Sequence, residues 1–239
     1  MSGFEADQRG AKKRDYWFTV LLTDPVAVPI TNFLARHRWL SPNQVTIVAL
    51  LFGLSVGGFF ATGERWGLIA GGIAFYLAFV FDCVDGKLAR ATGVTSDKGQ
   101  ALDALADGGR RASASLGLGL YLWNLGTDFG CAPGPMDACG QFVDSTYNDV
   151  IWLLIYVVLA YYFLEIAGAE RSDPAPGGVR SGWRAALAKR RLLPNPGMPD
   201  VQAVVFVFGP LTGLVVPALW VGIGMVGVAI LLTVRRRLR

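Results

Sequence analysis

Residues 66–109 read WGLIAGGIAFYLAFVFDCVDGKLARATGVTSDKGQALDALADGG, and this stretch decides what kind of molecule the chain is. An apolar run from Trp66 to Phe81 leads directly into Asp82 and Asp85; a polar connection follows, and Asp103 and Asp107 open a second helical run. A long apolar helix of this kind is expected to cross a bilayer. An acid at the centre of a membrane helix costs about 2.5 to 3.5 kcal/mol, less near the interface. Four carboxylates at the ends of two membrane helices therefore need compensation. On a helix turning about 100° per residue, Asp82 and Asp85 share one face, and so do Asp103 and Asp107 at their four-residue spacing. Unpaired, each set would repel itself.

Hard oxygen donors clustered in this way suit Mg²⁺, Mn²⁺ or Ca²⁺, and the cluster has none of the His and Cys ligands that zinc would take. Gly86 and Gly99 would let a ligand approach the backbone closely. Arg90, always charged, offers a planar fork that matches phosphate oxygens. A plainer reading treats these as ordinary helix-end charges, with Asp97 and Asp103 near an N-terminus and Lys87 and Arg90 near a C-terminus, where the helix dipole favours them. That accounts for two or three of the residues and leaves the rest of the pattern unexplained.

By length the 239-residue chain is one domain. Hydrophobic residues make up 53% of it and the mean hydropathy is +0.42, which places it among membrane proteins. The fold expected is all-α and integral to the membrane, with six transmembrane helices at 43–61, 66–83, 101–124, 149–167, 201–216 and 219–234. The last two share one apolar run, divided on the strength of Pro217 and Gly213. Of 22 Lys and Arg, six fall in residues 1–41, five in 87–111, six in 169–199 and four in 235–239, leaving only Arg65 in the alternate loops. The positive-inside rule then puts both termini and the aspartates in the cytoplasm. A net charge of +4 fits anionic lipid headgroups, and nothing in the sequence suggests nucleic acid.

Residues 1–23 are expected to form a polar, flexible N-terminus and 24–239 the membrane domain; no cleavable signal is seen. An amphipathic helix follows, with Asp24 as its cap, Pro25 at its first position, apolar Val26, Ile30, Phe33 and Leu34, and Arg36, His37 and Arg38 at its end. Such a helix would lie along the membrane surface before the first span. Cys83 reads as a small residue without chemistry. Cys131 and Cys139 fall in the longest non-cytoplasmic loop, where a structural disulfide and two free thiols are both open. Small residues at helical spacing, Gly53 with Gly57 and Gly117 near Ser113, permit close helix approach within the chain or between copies of it.

The eight residues Asp82, Asp85, Gly86, Ala89, Arg90, Gly99, Asp103 and Asp107, read as DxxDGxxARx8Gx3Dx3D, resemble without a gap the signature of the CDP-alcohol phosphotransferase family. Its members are integral membrane enzymes that move a substituted phosphate from a CDP-linked donor onto an alcohol. The six-span layout and the Ser41-Pro42-Asn43-Gln44 start of the first span are also similar, more loosely. The resemblance implies that Asp82, Asp85, Asp103 and Asp107 carry divalent metal, two ions of Mg²⁺ or Mn²⁺, and that Asp107 takes the proton of the acceptor hydroxyl. It implies that Gly86, Ala89 and Arg90 contact nucleotide and diphosphate, together with Gly99, Asp82 and Asp85. A juxtamembrane helix and a homodimer are implied as well. Asn43 has two readings, nucleotide contact or part of a helix start that Ser41 and Pro42 already explain; the second is favoured.

Candidates for the acceptor are Arg110 and Arg111 after the motif and Glu165 and Arg171 at the cytoplasmic end of the fourth span. The family branch that makes phosphatidylinositol phosphate carries a characteristic charged run after that span. Here the region reads AGAERSDPAPGGVRSGWRAALAKRRLLPNPGMPD, with a Pro/Gly-rich break and no match to it, which argues against inositol phosphate. CDP-diacylglycerol is the expected donor and a small polar alcohol the expected acceptor. The reverse, a soluble CDP-alcohol donating to a lipid alcohol, uses the same motif. A rival of another class is a small ion-coupled transporter, but the acidic motif occurs once and no inverted repeat is visible.

Overall fold

The computed structural model describes residues 14–93, 96–128, 149–164, 187, 190–193 and 197–238. Among them the chain is helical, without a strand; the isolated bridge Asp15 to Leu192 is the only β-type pairing. The helices are α1 (Asp24–His37), α2 (Pro42–Phe60), α3 (Arg65–Thr92), α4 (Asp97–Asp128), α5 (Asp149–Leu164), α6 (Met198–Thr212) and α7 (Val215–Arg237). Three of them, α2, α3 and α7, are long and apolar enough to cross a membrane, while α5 and α6 are apolar but shorter. Exposed Leu51, Leu54, Leu116, Leu120, Trp123, Trp220 and Leu231 give the bundle an apolar exterior suited to lipid.

Asp24 does not cap α1. A π-turn at Thr19–Thr23 runs straight into it, and the Asp24 N–H bonds back to the Thr19 carbonyl. The same device recurs in α6, where a π-turn at Val204–Phe208 ends with the Gly209 N–H on the Val204 carbonyl. Each π-turn is followed by a proline, Pro25 or Pro210. Proline has no N–H and its ring crowds the carbonyl four residues back; a widened turn moves that carbonyl aside and the helix continues. The domain boundary expected at residue 24 accordingly falls inside a helix that already buries Phe18, Thr19 and Thr23. Helix α1 packs on α3 through buried Ala27 and Leu34, leaving Val26 and Phe33 exposed.

Ser41 and Gln44 form a capping box at the start of α2: the Ser41 hydroxyl accepts from the Gln44 N–H, and the Gln44 side chain accepts from the Ser41 N–H at 2.8 Å. Helix α2 lies against both α3 and α4. Its crossing with α4 uses the small residues within the chain. The Gly57 N–H donates to Ser113 Oγ at 3.0 Å, Ser113 Oγ donates to the Leu54 carbonyl at 2.8 Å, and a Cβ on Gly117 would strike the Gly57 backbone. The break between α6 and α7 comes at Gly213, left-handed at φ +81°, while Pro217 sits in the first turns of α7. Arg65 closes the end of α6, its guanidinium donating to the Pro210 and Leu211 carbonyls at 2.5 Å each.

Candidate active site

The motif is carried on the last turns of α3 and the first turns of α4. Gly93, left-handed at φ +70°, ends α3, and Ser96 Oγ accepts from the Gly99 N–H at 3.0 Å as α4 begins. These two helix ends and the start of α2 enclose a cavity of about 190 Å³. Seven of the residues singled out from sequence line it: Asn43, Asp85, Gly86, Ala89, Arg90, Gly99 and Asp103. Pro42, Thr46, Ser96 and Gln100 complete the wall. Ser96 and Gln100 lie within one helical turn of Gly99, and Pro42 and Thr46 within one turn of Asn43.

Asn43 belongs to this cavity, and the capping role falls to Ser41 and Gln44. Its side chain also explains a glycine. A Cβ at position 99 would come within 2.9 Å of Asn43 Oδ1 and 3.2 Å of Ser96 Oγ, tighter than ordinary contact. Gly86 is different: a Cβ there would meet nothing nearer than Arg90 Nη1 at 3.5 Å, so the space in front of it is open to a ligand.

Asp85 is 4% exposed, and its Oδ2 has no hydrogen-bond partner among the described residues. A buried, unmatched carboxylate oxygen is costly unless a cation or donor meets it. Asp82 and Asp107 are met by Arg110, which is 3% exposed. Its Nη2 bonds Asp107 Oδ1 and its Nη1 stands 3.9 Å from Asp82 Oδ2. The guanidinium also lies over the rings of Phe75 and Phe79, at 5.4 and 5.1 Å from their centroids. Arg111 reaches the other oxygen of Asp107 at 3.5 Å. Asp82 feels the charges of Asp85, Asp103 and Asp107, and Asp85 those of Asp103 and Asp107.

No three acids, histidines or cysteines among the described residues converge as ligands of one ion; Arg110 supplies the positive charge between Asp82 and Asp107. The donors nonetheless fit a hard divalent cation. They are all carboxylate oxygen, one of them is buried without a partner, and Asp85 and Asp103 face a common cavity. Of the acceptor candidates, Arg110 is turned to the motif acids and Arg111 lines a second cavity beside α5 and α6. Glu165, Arg171, Cys131 and Cys139 lie outside the described residues.

Lys87 occupies a variable position of the motif. It is 4% exposed and its Nζ lies 3.0 Å from Asp24 Oδ1, while Arg191 Nη1 lies 3.2 Å from Asp24 Oδ2. This triad ties the motif helix to α1 and to the segment before α6. A lysine at the end of an apolar run was the available signal; its partners are too distant in sequence to be read.

Residues 39–132, which cover α2, α3 and α4, match the family model described as CDP-alcohol phosphatidyltransferase. Over that stretch the chain is similar to a CDP-alcohol phosphatidyltransferase domain. The same stretch supplies every helix lining the motif cavity. The fold is also similar to crystal structures of phosphatidylinositol phosphate synthase from Mycobacterium tuberculosis. One, with CDP-DAG bound, is 24% identical over 90% of this chain and 92% of that chain, with a TM-score of 0.55. Another, in complex with manganese and citrate, is 21% identical over 88% of each, with a TM-score of 0.51. No curated protein matches the sequence. Two of the helices long and apolar enough to cross a membrane, α2 and α3, lie within the matched stretch.

Proposed function

We propose that this chain is a membrane-embedded phosphotransferase that moves a phosphatidyl group from CDP-diacylglycerol to an alcohol hydroxyl and releases CMP. The observation that carries the reading is the convergence of Asn43, Asp85, Gly86, Ala89, Arg90, Gly99 and Asp103 on one cavity between α2, α3 and α4. The similar mycobacterial enzyme that holds CDP-DAG supports the donor, and the one that holds manganese supports a divalent ion. In this reading the protein spans the membrane six times, with both termini and the aspartates on the cytoplasmic side, and works as a homodimer.

Arg90 and the open backbone at Gly86 hold the diphosphate, and Asn43 and the Gly99 backbone hold the nucleotide. Asp82, Asp85, Asp103 and Asp107 would hold Mg²⁺ or Mn²⁺. Once bound, such ions neutralise phosphate charge and stabilise the departing oxygen. Asp107 accepts the hydroxyl proton, for which it needs an approach of about 2.6 to 3.2 Å. The freed oxygen forms a bond to the β-phosphorus as the bond from that phosphorus to the bridging oxygen breaks, so CMP leaves with the electron pair. Arg110, buried against Phe75 and Phe79, fixes the rotamers of Asp82 and Asp107.

Purified protein given CDP-diacylglycerol and a panel of alcohols (glycerol phosphate, inositol phosphate, serine, inositol, diacylglycerol) tests the reading by CMP release. Activity that EDTA abolishes and Mn²⁺ or Mg²⁺ restores is the expected result. Turnover indifferent to chelation, or no CMP release with any alcohol, rejects it. The transporter alternative would string its acids along a path; here they gather at one end of α3 and α4.

A further inference from the structure

The four motif carboxylates fall into two pairs. Asp85 and Asp103 line the motif cavity, while Asp82 and Asp107 are the pair held by Arg110. Helix geometry puts a guanidinium there. Phe75, Phe79 and Asp82 recur along one stripe of α3, and Asp103, Asp107 and Arg110 along one stripe of α4. The two faces meet with the rings against the guanidinium and the acids beside it. Helix α2 closes in from another side: a Cβ on Gly53 would lie 2.9 Å from Arg110 Cβ, so the bare glycine lets α2 press on the arginine stem.

A buried arginine is costly unless it is paired, and Arg110 is matched unequally. Its Nη2 hydrogen-bonds Asp107 Oδ1, whereas its Nη1 stands 3.9 Å from Asp82 Oδ2, an ion pair beyond hydrogen-bond length. Phe75 and Phe79 give the guanidinium a hold that depends on neither acid. Arg110 can therefore give up an acid and stay in place. Arg111, on the other oxygen of Asp107, has a side chain 32% exposed, and solvent screens its charge.

Resting on the proposed phosphotransfer and its divalent ions, we infer that Arg110 makes the second ion conditional on the CDP donor. A first ion is offered Asp85, whose buried Oδ2 has no hydrogen-bond partner among the described residues, and Asp103 on the same cavity wall. An ion that takes Asp82 and Asp107 must draw them from a buried guanidinium, and it then stands near that cation in a low-dielectric site. The diphosphate of the donor brings the negative charge that offsets this repulsion. Without donor, Arg110 keeps its acids; with donor, the acids pass to the ion and Arg110 remains on its two rings. Arg110 is thus a positioning residue that acts through Asp82 and Asp107.

The test is Mn²⁺ binding to the full chain in detergent, read by electron paramagnetic resonance with and without CDP-diacylglycerol. Wild type is expected to bind about one ion tightly without donor, and a second at least tenfold more tightly once donor is added. Arg110→Met removes the charge and keeps an apolar stem on the rings; without donor it should bind the second ion about tenfold more tightly than wild type. A residue that merely held the two acids in shape would give the opposite sign. Arg110→Lys, with one point charge for Asp107 and a stem too short to serve Asp82 as well, should shift the second ion the same way by roughly threefold. It covers the case in which the methionine variant does not fold. A second ion that binds wild type equally with and without donor overturns the inference, as does a second ion bound no more tightly by these variants than by wild type. A single ion at saturation in the presence of donor overturns it too. No Mn²⁺ bound by wild type even with donor present would reject the divalent-ion reading itself, and the inference with it.

Discussion

Asp24, Lys87 and Arg191 form a buried ion cluster that couples the motif helix to the N-terminal helix, and removing its members should have unequal effects. The Asp24 side chain is 8% exposed, Lys87 5% and Arg191 21%. Asp24→Asn leaves two cations without their shared counter-charge, one of them unable to reach water. Breaking a buried pair from one side costs about 3 to 5 kcal/mol. Lys87→Met leaves Asp24 neutralised by Arg191 at 3.2 Å, so its cost should be nearer that of one hydrogen bond to a charged group, roughly 1.5 to 3 kcal/mol. At about 2 to 4 °C per kcal/mol for a chain of this size, Asp24→Asn should lower the melting temperature by on the order of 10 °C and Lys87→Met by about half as much. The double variant should melt above the sum of the single losses, because no lysine is then stranded. Tryptophan fluorescence on heating in detergent reads all three. A lysine variant that melts lower than the aspartate variant would refute the triad as the source of the coupling, and so would two variants indistinguishable from wild type.

Three other changes probe the site and its supports. Asp107→Asn should lower kcat roughly 10² to 10⁴-fold while the protein stays folded and still binds the CDP donor; substantial residual turnover would reject the base assignment. Gly99→Ala puts a methyl group 2.9 Å from Asn43 Oδ1, and the donor KM should rise about tenfold, equivalent to about 1.4 kcal/mol, at unchanged melting temperature. An unaltered KM would remove Gly99 and Asn43 from the nucleotide site. Ser41→Ala deletes the cap of α2 and should cost about 1 kcal/mol in thermal stability, with no change in donor KM; a kinetic effect without a thermal one would mean that Ser41 touches substrate.

The motif could be read because its chemistry is local: each half sits within a few turns of one helix, so spacing alone put Asp82 with Asp85 and Asp103 with Asp107. The division of labour at the start of α2 could not. Ser41, Asn43 and Gln44 are adjacent letters, and only the packing of α4 against that turn shows that Ser41 caps while Asn43 faces the cavity. Proline is an ambiguous signal: Pro25 and Pro210 are passed by π-turns, and of the two residues that mark the division of the last apolar run, Gly213 makes the break, left-handed, while Pro217 sits in the first turn of α7. Long-range partners were invisible for a different reason. Arg191 meets Asp24 across 167 positions and Arg65 caps a helix across 145, and no periodicity reports such contacts. Arg110 looked like a basic residue free for substrate; its burial between two acids and two phenyl rings is a product of tertiary packing.

The measurement that bears hardest on this account is Mn²⁺ binding followed by electron paramagnetic resonance, with the purified protein titrated in the presence of CDP-diacylglycerol. The buried, unmatched oxygen of Asp85 beside Asp103 predicts that wild type binds Mn²⁺, with about two ions at saturation, and that Asp85→Asn weakens binding at least tenfold without unfolding the chain. Equal Mn²⁺ binding by the variant and wild type, or none by either, would contradict it.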